Sequence, residues 1–236
     1  MALPQVASIT FNCIQPSTRK EITFRPFLVK EEKVLLMAKE SGERVDIFNA
    51  IKSIINACVL TPGFNVDEIP IFDMEYIFIK LRSASVSNTV EFQVEDSTDG
   101  ITYNLTLDLD DVEVQFPDDV ERKVMINDDL GMMLKYPTPR ISDKIRGLTK
   151  MADITYATIN HCVDYVFDAE EVYPWAEASE KEREDWLDSL PIDAYNKINE
   201  FFERVPKIEH IVTYENSEGT EKRVYFRNLD DFFTLG

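Results

Sequence analysis

The chain has 236 residues, 44% hydrophobic and 11% aromatic, a composition that fits one large or two small folded domains and excludes disorder as the default. Its 44 acidic residues against 25 basic ones leave a net charge of -19, which repels nucleic acid and anionic membrane. No run approaches the ~18 to 20 apolar residues of a membrane span, and MALPQVASITF lacks the parts of a signal peptide, so the sequence predicts a soluble protein made in a cytoplasm.

The first segment alternates weakly at Val6, Ser8 and Thr10, and Ile22 and Phe24 follow a polar bridge, a pattern for two short strands or an extended arm. From Phe24 to Cys58 the signal is denser. Pro26 holds Arg25 extended, and Glu31 and Glu32 fall in a first turn where the helix dipole favours anions, so a helix is predicted over 29–41. Val34, Leu35, Leu36, Met37 and Ala38 make too broad an apolar run for a surface helix, which predicts cover on most sides. Gly42 ends it. A second helix over 44–59 carries Ile47, Phe48, Ile51, Ile54, Ile55, Cys58 and Val59 on one face, and Thr61-Pro62-Gly63 stops it. Asp73 is a plausible N-cap for a third helix, 73–86, with Met74, Ile77, Phe78, Leu81 and Ser85 on the side that packs against the first pair.

Between 88 and 136 the period changes to two. Val90, Phe92 and Val94 alternate with polar neighbours, Asp99-Gly100 marks a turn, and Ile101 to Leu109 alternate back, which predicts an antiparallel hairpin with one wet face. Val112, Val114 and Phe116 suggest a further strand, and Lys123–Ile126 with Met132–Tyr136 a further pair. Pro137-Thr138-Pro139 ends the sheet, and the polar run to Lys150 reads as a linker or return crossing. Ile154, Thr158, His161 and Tyr165 then share a helix face, and Ser179 to Glu182 has the spacing of a capping box before Trp186, Leu187 and Leu190. Tyr195, Ile198, Phe201, Phe202 and Val205 mark another helix, Ile208–Tyr214 and Lys222–Phe226 a hairpin, and Asn228 caps a final turn whose Phe232 and Phe233 dock into the core. The expected fold is α+β: an α+β domain over 1–140, then a mainly helical region over 141–236 that ends in a hairpin.

Chemistry is sparsely signalled. The seven glycines form no phosphate-cradling series, and no G-x-S-x-G elbow is present. His161 and Cys162 are adjacent on a predicted helix and point roughly 100° apart, which suits neither a shared metal nor a nucleophile and its base. His210 reads as a cross-strand packing residue. Asp108, Asp110, Asp111 and Glu113 could bind calcium but lack the glycine and spacing of an EF-hand, so an acidic strand edge is the better account. Cys13, Cys58 and Cys162 are odd in number and far apart, as reduced thiols are. No catalytic residue, cofactor or metal site is expected.

The acids are unevenly spread. No Lys or Arg lies between Arg82 and Arg122, or between Lys150 and Lys181, while both intervals are rich in Asp and Glu. They read either as a solvated surface or as a negative face that attracts a basic partner. Trp175 and Trp186, with Tyr173, Phe167 and Pro174, suit a partner-binding surface, and core packing accounts for them at least as well.

Three blocks carry a resemblance. Phe24-Arg25-Pro26-Phe27 leads into Val29-Lys30-Glu31-Glu32-Lys33, Leu35-Leu36-Met37-Ala38 and Glu40-Ser41-Gly42; Phe72 to Tyr76 leads into Leu81 to Val86; and Leu229-Asp230-Asp231-Phe232-Phe233 closes the chain. In this order they resemble the baseplate hub assembly proteins of T4-like contractile-tailed bacteriophages. The resemblance implies a non-enzymatic assembly factor that binds other baseplate hub proteins in the host cytoplasm. A permanent hub subunit of the virion tail is the alternative, and an acidic nucleic-acid mimic or metal-binding protein a more distant one. The residues expected to meet a partner are Phe24, Arg25, Pro26, Phe27, Trp175, Trp186, Asp108, Asp110 and Asp111.

Overall fold

A computed structural model describes residues 9–233, with the side chains of Asp230 and Phe233 outside that set. Val6 and Ser8 of the weak N-terminal alternation, and the docking expected of Phe233, therefore lie outside the described residues. The chain forms two compact units, one taking the chain up to Gln115 and again from Lys207, the other spanning Phe116–Pro206. The expected boundary at 140 falls inside the second unit, and the terminal hairpin belongs with the first.

The first unit opens with an antiparallel pair, β1 (Phe11–Ile14) and β2 (Glu21–Phe24), followed by α1 (Val29–Ser41) and α2 (Arg44–Cys58). Gly42 makes the corner with φ +70°, a conformation that costs glycine little. The apolar face read for α2 is the buried one, with Ile51, Ile54, Ile55 and Cys58 in the core. For α1 the expectation of cover on most sides is overturned. It buries Glu31 and Ala38, while Val29, Val34, Leu36 and Met37 are exposed. A helix folded back on α2 by a tight corner finds a partner along one face, whatever its other faces carry.

Helix α3 (Ile71–Ser85) starts earlier than expected, with Pro70 at the cap and Asp73 inside the first turn. Asp73 is fully buried, and its carboxylate accepts hydrogen bonds from Gln15 Nε2 at 2.7 Å, from Ser17 N at 3.0 Å and from the Ser17 hydroxyl. It pins the β1–β2 turn to α3. Its burial raises the carboxyl's pKa despite those donors. Strands β3 (Thr89–Glu95) and β4 (Thr102–Asp108) pair as the alternation dictates, Val90 opposite Leu107 and Phe92 opposite Leu105, with Glu91, Gln93 and Glu95 in water. β5 (Glu113–Gln115) completes this stretch.

In the second unit β6 (Lys123–Met125), β7 (Gly131–Leu134), β8 (Val163–Phe167) and β9 (Val172–Pro174) form one antiparallel sheet in that order. Two helices precede β8: α4 (Ile141–Ile145), in the run read as a linker, and α5 (Met151–Cys162). The helix read through Tyr165 stops at Cys162, and Tyr165 lies in β8 (Val163–Phe167), beside β9 (Val172–Pro174). β-branched and aromatic residues at Val163, Tyr165 and Phe167 favour the strand over another helical turn. The capping box opens α6 (Glu180–Asp188), and α7 (Ile192–Glu203) buries Ala194, Ile198 and Phe201 against Val124, Met132 and Leu134 of the sheet.

The chain returns to the first unit as β10 (Lys207–Glu215) and β11 (Glu221–Phe226), and β10 lies between β11 and β5. The final helix, α8 (Leu229–Phe233), is capped as expected, Asp231 N–H donating to Asn228 Oδ1 at 3.2 Å, and Phe232 is buried against Phe226. Among the described residues no helix is long and apolar enough to cross a membrane.

Candidate partner-binding site

The structure separates the nine residues expected at an interface into three places with different jobs. Phe24 and Phe27 lie in the core of the first unit, and Phe27 N–H donates to Ser85 Oγ at 2.9 Å. Arg25 lies along the surface of the same unit as a clamp. Its guanidinium donates to Glu31 Oε1 at 2.9 Å, to Ala57 O at 3.0 Å and to Pro26 O at 2.9 Å. Glu31 also accepts Leu28 N–H at 2.8 Å, which closes the first turn of α1. Burial alone would raise the Glu31 pKa, but Arg25, the Leu28 amide and Lys30 together hold it below the usual carboxylate range. Phe24 to Phe27 thus join β2 to α1.

Asp108, Asp110 and Asp111 surround a single 3-10 turn. Asp108 Oδ1 caps it by accepting Asp110 N–H at 2.9 Å, and Asp110 Oδ1 accepts the Ser83 hydroxyl at 2.7 Å. Lys80 Nζ donates to the carbonyls of Leu109 and Asp110 at 3.0 and 2.6 Å. Asp110 and Asp111 are exposed. Other acids read as wet surface are committed internally. Asp99 Oδ2 accepts from Tyr103 Oη at 2.7 Å and from Ser217 N and Oγ at 3.1 and 2.8 Å, so the β3–β4 turn is tied to the β10–β11 turn. Tyr103 foremost, with the Ile101 amide and Ser217, holds the Asp99 carboxyl far below its ordinary range. Asp96 is buried beside it and accepts from Thr98 N at 2.7 Å and Tyr214 Oη at 3.1 Å. No periodicity announces this tie, because it joins turns 118 residues apart.

The tryptophans are the pair that the structure brings together. Trp175 is buried, and its indole N–H reaches both Asn160 O and Asn160 Oδ1 at 2.9 Å; Trp186 meets it edge to face, centroids 5.5 Å apart at 71°. Their outer edges form one wall of a groove of ≈ 560 Å³. Leu130, Val166, Val172, Tyr173 and Pro174 supply further apolar lining, and Glu177 and Glu182 bring carboxylates to it. Val172 and Tyr173 are exposed on β9, the edge strand of the sheet. Glu182 is fixed by the capping box, accepting from Ser179 N at 2.8 Å and from the Ser179 hydroxyl at 2.6 Å, bonds that lower its pKa and keep it ionised at neutral pH. Trp175 is core, and the same side chain lines the cleft. The sequence signalled Tyr173 and Pro174 but not Leu130, which arrives from the turn before β7, or Val166, which arrives from β8.

The two histidines have packing roles. His161 Nε2 lies 3.0 Å from Thr138 Oγ1, and burial, helped by Lys135, Lys144 and Arg140, pushes its pKa down to about 4. His210 stands opposite Phe226 in the β10–β11 ladder. Cys13, Cys58 and Cys162 are buried free thiols, and burial pushes the last up to about 12. Among the described residues no group of three or more His, Cys, Asp or Glu side chains is placed to hold a metal ion.

A family model described as T4 bacteriophage base plate protein matches residues 6–234. Neither the curated proteins nor the solved structures compared with the chain give a match.

Proposed function

The chain belongs to the T4 bacteriophage base plate protein family, and on that premise we propose that it is a non-enzymatic assembly factor that binds hub subunits while the tail is built. The observation that carries this reading is the family match over nearly the whole chain, which takes in both units instead of one shared module. The groove of the second unit is the proposed contact. Its walls are apolar and aromatic, as interface centres are, and its carboxylates favour a partner segment with basic flanks. Trp175 and Trp186 anchor that contact, and Asp108, Asp110 and Asp111 add negative field on the first unit. Phe24 to Phe27 contribute by holding α1 in place.

Binding of this kind weakens with salt, because exposed charges are screened within about 8 Å at physiological ionic strength. Affinity capture from infected cells, with free hub intermediates separated from finished tails, tests the assignment. An assembly factor is recovered with the intermediates and is absent from the tails. Stoichiometric recovery in finished tails replaces it with a lasting hub subunit. In purified mixtures, Glu177→Lys and Trp186→Ala both weaken capture of the hub subunit; capture indifferent to both removes the groove from the interface.

A further inference from the structure

We propose that the uncovered face of α1 is a homodimer interface, in which α1 packs antiparallel against α1 of a second copy of this chain. The face opposite the one buried on α2 carries Val29, Lys33, Leu36, Met37 and Glu40, one stripe at helical spacing. Val29 is 87% exposed, Leu36 51% and Met37 60%. Apolar residues on both sides of a helix mark one that is covered on both sides in its working state.

The identity of the covering surface follows from charge and symmetry. Over Val29–Ser41 there are three lysines and three glutamates, so α1 is neutral on a chain of net charge -19. Two copies meet here without the repulsion that their other surfaces impose. The middle of the stripe, Lys33 to Glu40, is also self-complementary. About the midpoint between Leu36 and Met37, an antiparallel pairing sets Leu36 against Met37 of the other copy and Lys33 against Glu40 of the other copy, each contact occurring twice. A two-fold interface demands this self-complementarity. A parallel pairing would set Lys33 against Lys33 and Glu40 against Glu40. Neither Lys33 nor Glu40 makes an ion pair among the described residues. The interface shares no residue with the groove.

A helix of this length is about 20 Å long, so the contact lies at the small end of specific interfaces and the dimer is concentration-dependent. Sedimentation velocity of the full chain from about 1 to 200 μM spans the range in which such an interface dissociates. The expected result is a monomer–dimer equilibrium. Lys33→Glu turns two attractive contacts into two repulsive ones and weakens the dimer by about tenfold or more. Lys33→Glu combined with Glu40→Lys restores it, because the swap regenerates both pairs with signs exchanged. Met37→Glu yields monomer with an unchanged circular dichroism spectrum. The proposal is overturned by a wild-type chain that stays monomeric throughout, by a dimer indifferent to Lys33→Glu, or by a double variant no better than the single one. A monomeric chain whose Met37→Glu variant loses a different base plate protein also overturns it and gives the face to that protein.

Discussion

Glu31 offers the sharpest test of the clamp at the start of α1. Its carboxylate is 5% exposed, bonded to Arg25 at 2.9 Å and to the Leu28 amide at 2.8 Å. Breaking a fully buried ion pair costs about 3–5 kcal/mol, and an exposed pair about 0–1. The Arg25 side chain is 15% exposed and keeps the carbonyls of Pro26 and Ala57, so about 2–3 kcal/mol applies to the charge here. The orphaned Leu28 amide adds about 1 kcal/mol when the side chain is removed. Glu31→Ala therefore destabilises the first unit by about 3–4 kcal/mol, and Glu31→Gln, which keeps an acceptor for the amide, by about 2. The assay is urea unfolding followed by circular dichroism, run across pH. The folded Glu31 pKa is depressed, so its contribution is present above the unfolded value near 4.3 and is lost as the pH falls through the folded value. The gap between wild type and Glu31→Gln thus closes below about pH 4. A Glu31→Ala loss under about 0.5 kcal/mol, or a gap that widens in acid, would refute the clamp.

Two further substitutions probe the close approaches. A Cβ on Gly131 would lie 2.5 Å from Phe167 Cζ and 3.0 Å from Val124 O, so Gly131→Ala must displace the Phe167 ring and crowd the β6 backbone, and costs about 1–3 kcal/mol in a melt of the second unit. Gly147→Ala, with φ +81° but open space, costs only the backbone term of about 1–2 kcal/mol and serves as the comparison. Asp99→Ala unties the two turns of the first unit, and amide exchange at Ser217 accelerates while the melting temperature of the second unit is unmoved. Since the folded Asp99 pKa is depressed, wild-type protection at Ser217 persists to pH 4 and fades only further into acid.

The elements legible in the sequence are those whose signal is local. The period of α2 named its buried face, the alternation of β3 and β4 fixed their wet side, and Ser179 with Glu182 marked the start of α6 within one turn. What stayed hidden depends on partners remote in the chain. Breadth of apolar residues in α1 says that cover is wanted, not that the same chain supplies it. Asp73 has the residue type of a cap, yet its three donors come from residues 15 and 17, so only the folded hairpin shows why a carboxylate is buried there. The groove was half visible: the tryptophans stood out by type, while Leu130 looks like any turn residue and Val166 like any strand residue until β7, β8 and β9 pair.

The same logic explains the boundary at 140, and it yields a last prediction. Composition shifts after Pro139, but the point where the chain leaves the first unit is set by a strand pair. β5 and β10 are antiparallel with Gln115 directly opposite Lys207, so the chain departs and returns at neighbouring positions of one ladder. Directly opposed residues of such a ladder have Cα atoms about 4.5–5.5 Å apart, a gap that a two-residue hairpin turn spans. Residues 116–206 are thus an insertion that the first unit can close without, and joining Gln115 to Lys207 through Asn-Gly should leave that unit folded. The shortened chain is expected to unfold cooperatively in urea, with a smaller slope in proportion to the surface it no longer exposes. It should also lose hub-subunit capture, since the groove goes with the insertion. A shortened chain that lacks a cooperative transition would mean that the core around Ile208, Phe226 and Phe232 is not self-sufficient, and the division into two independently closed units would fall.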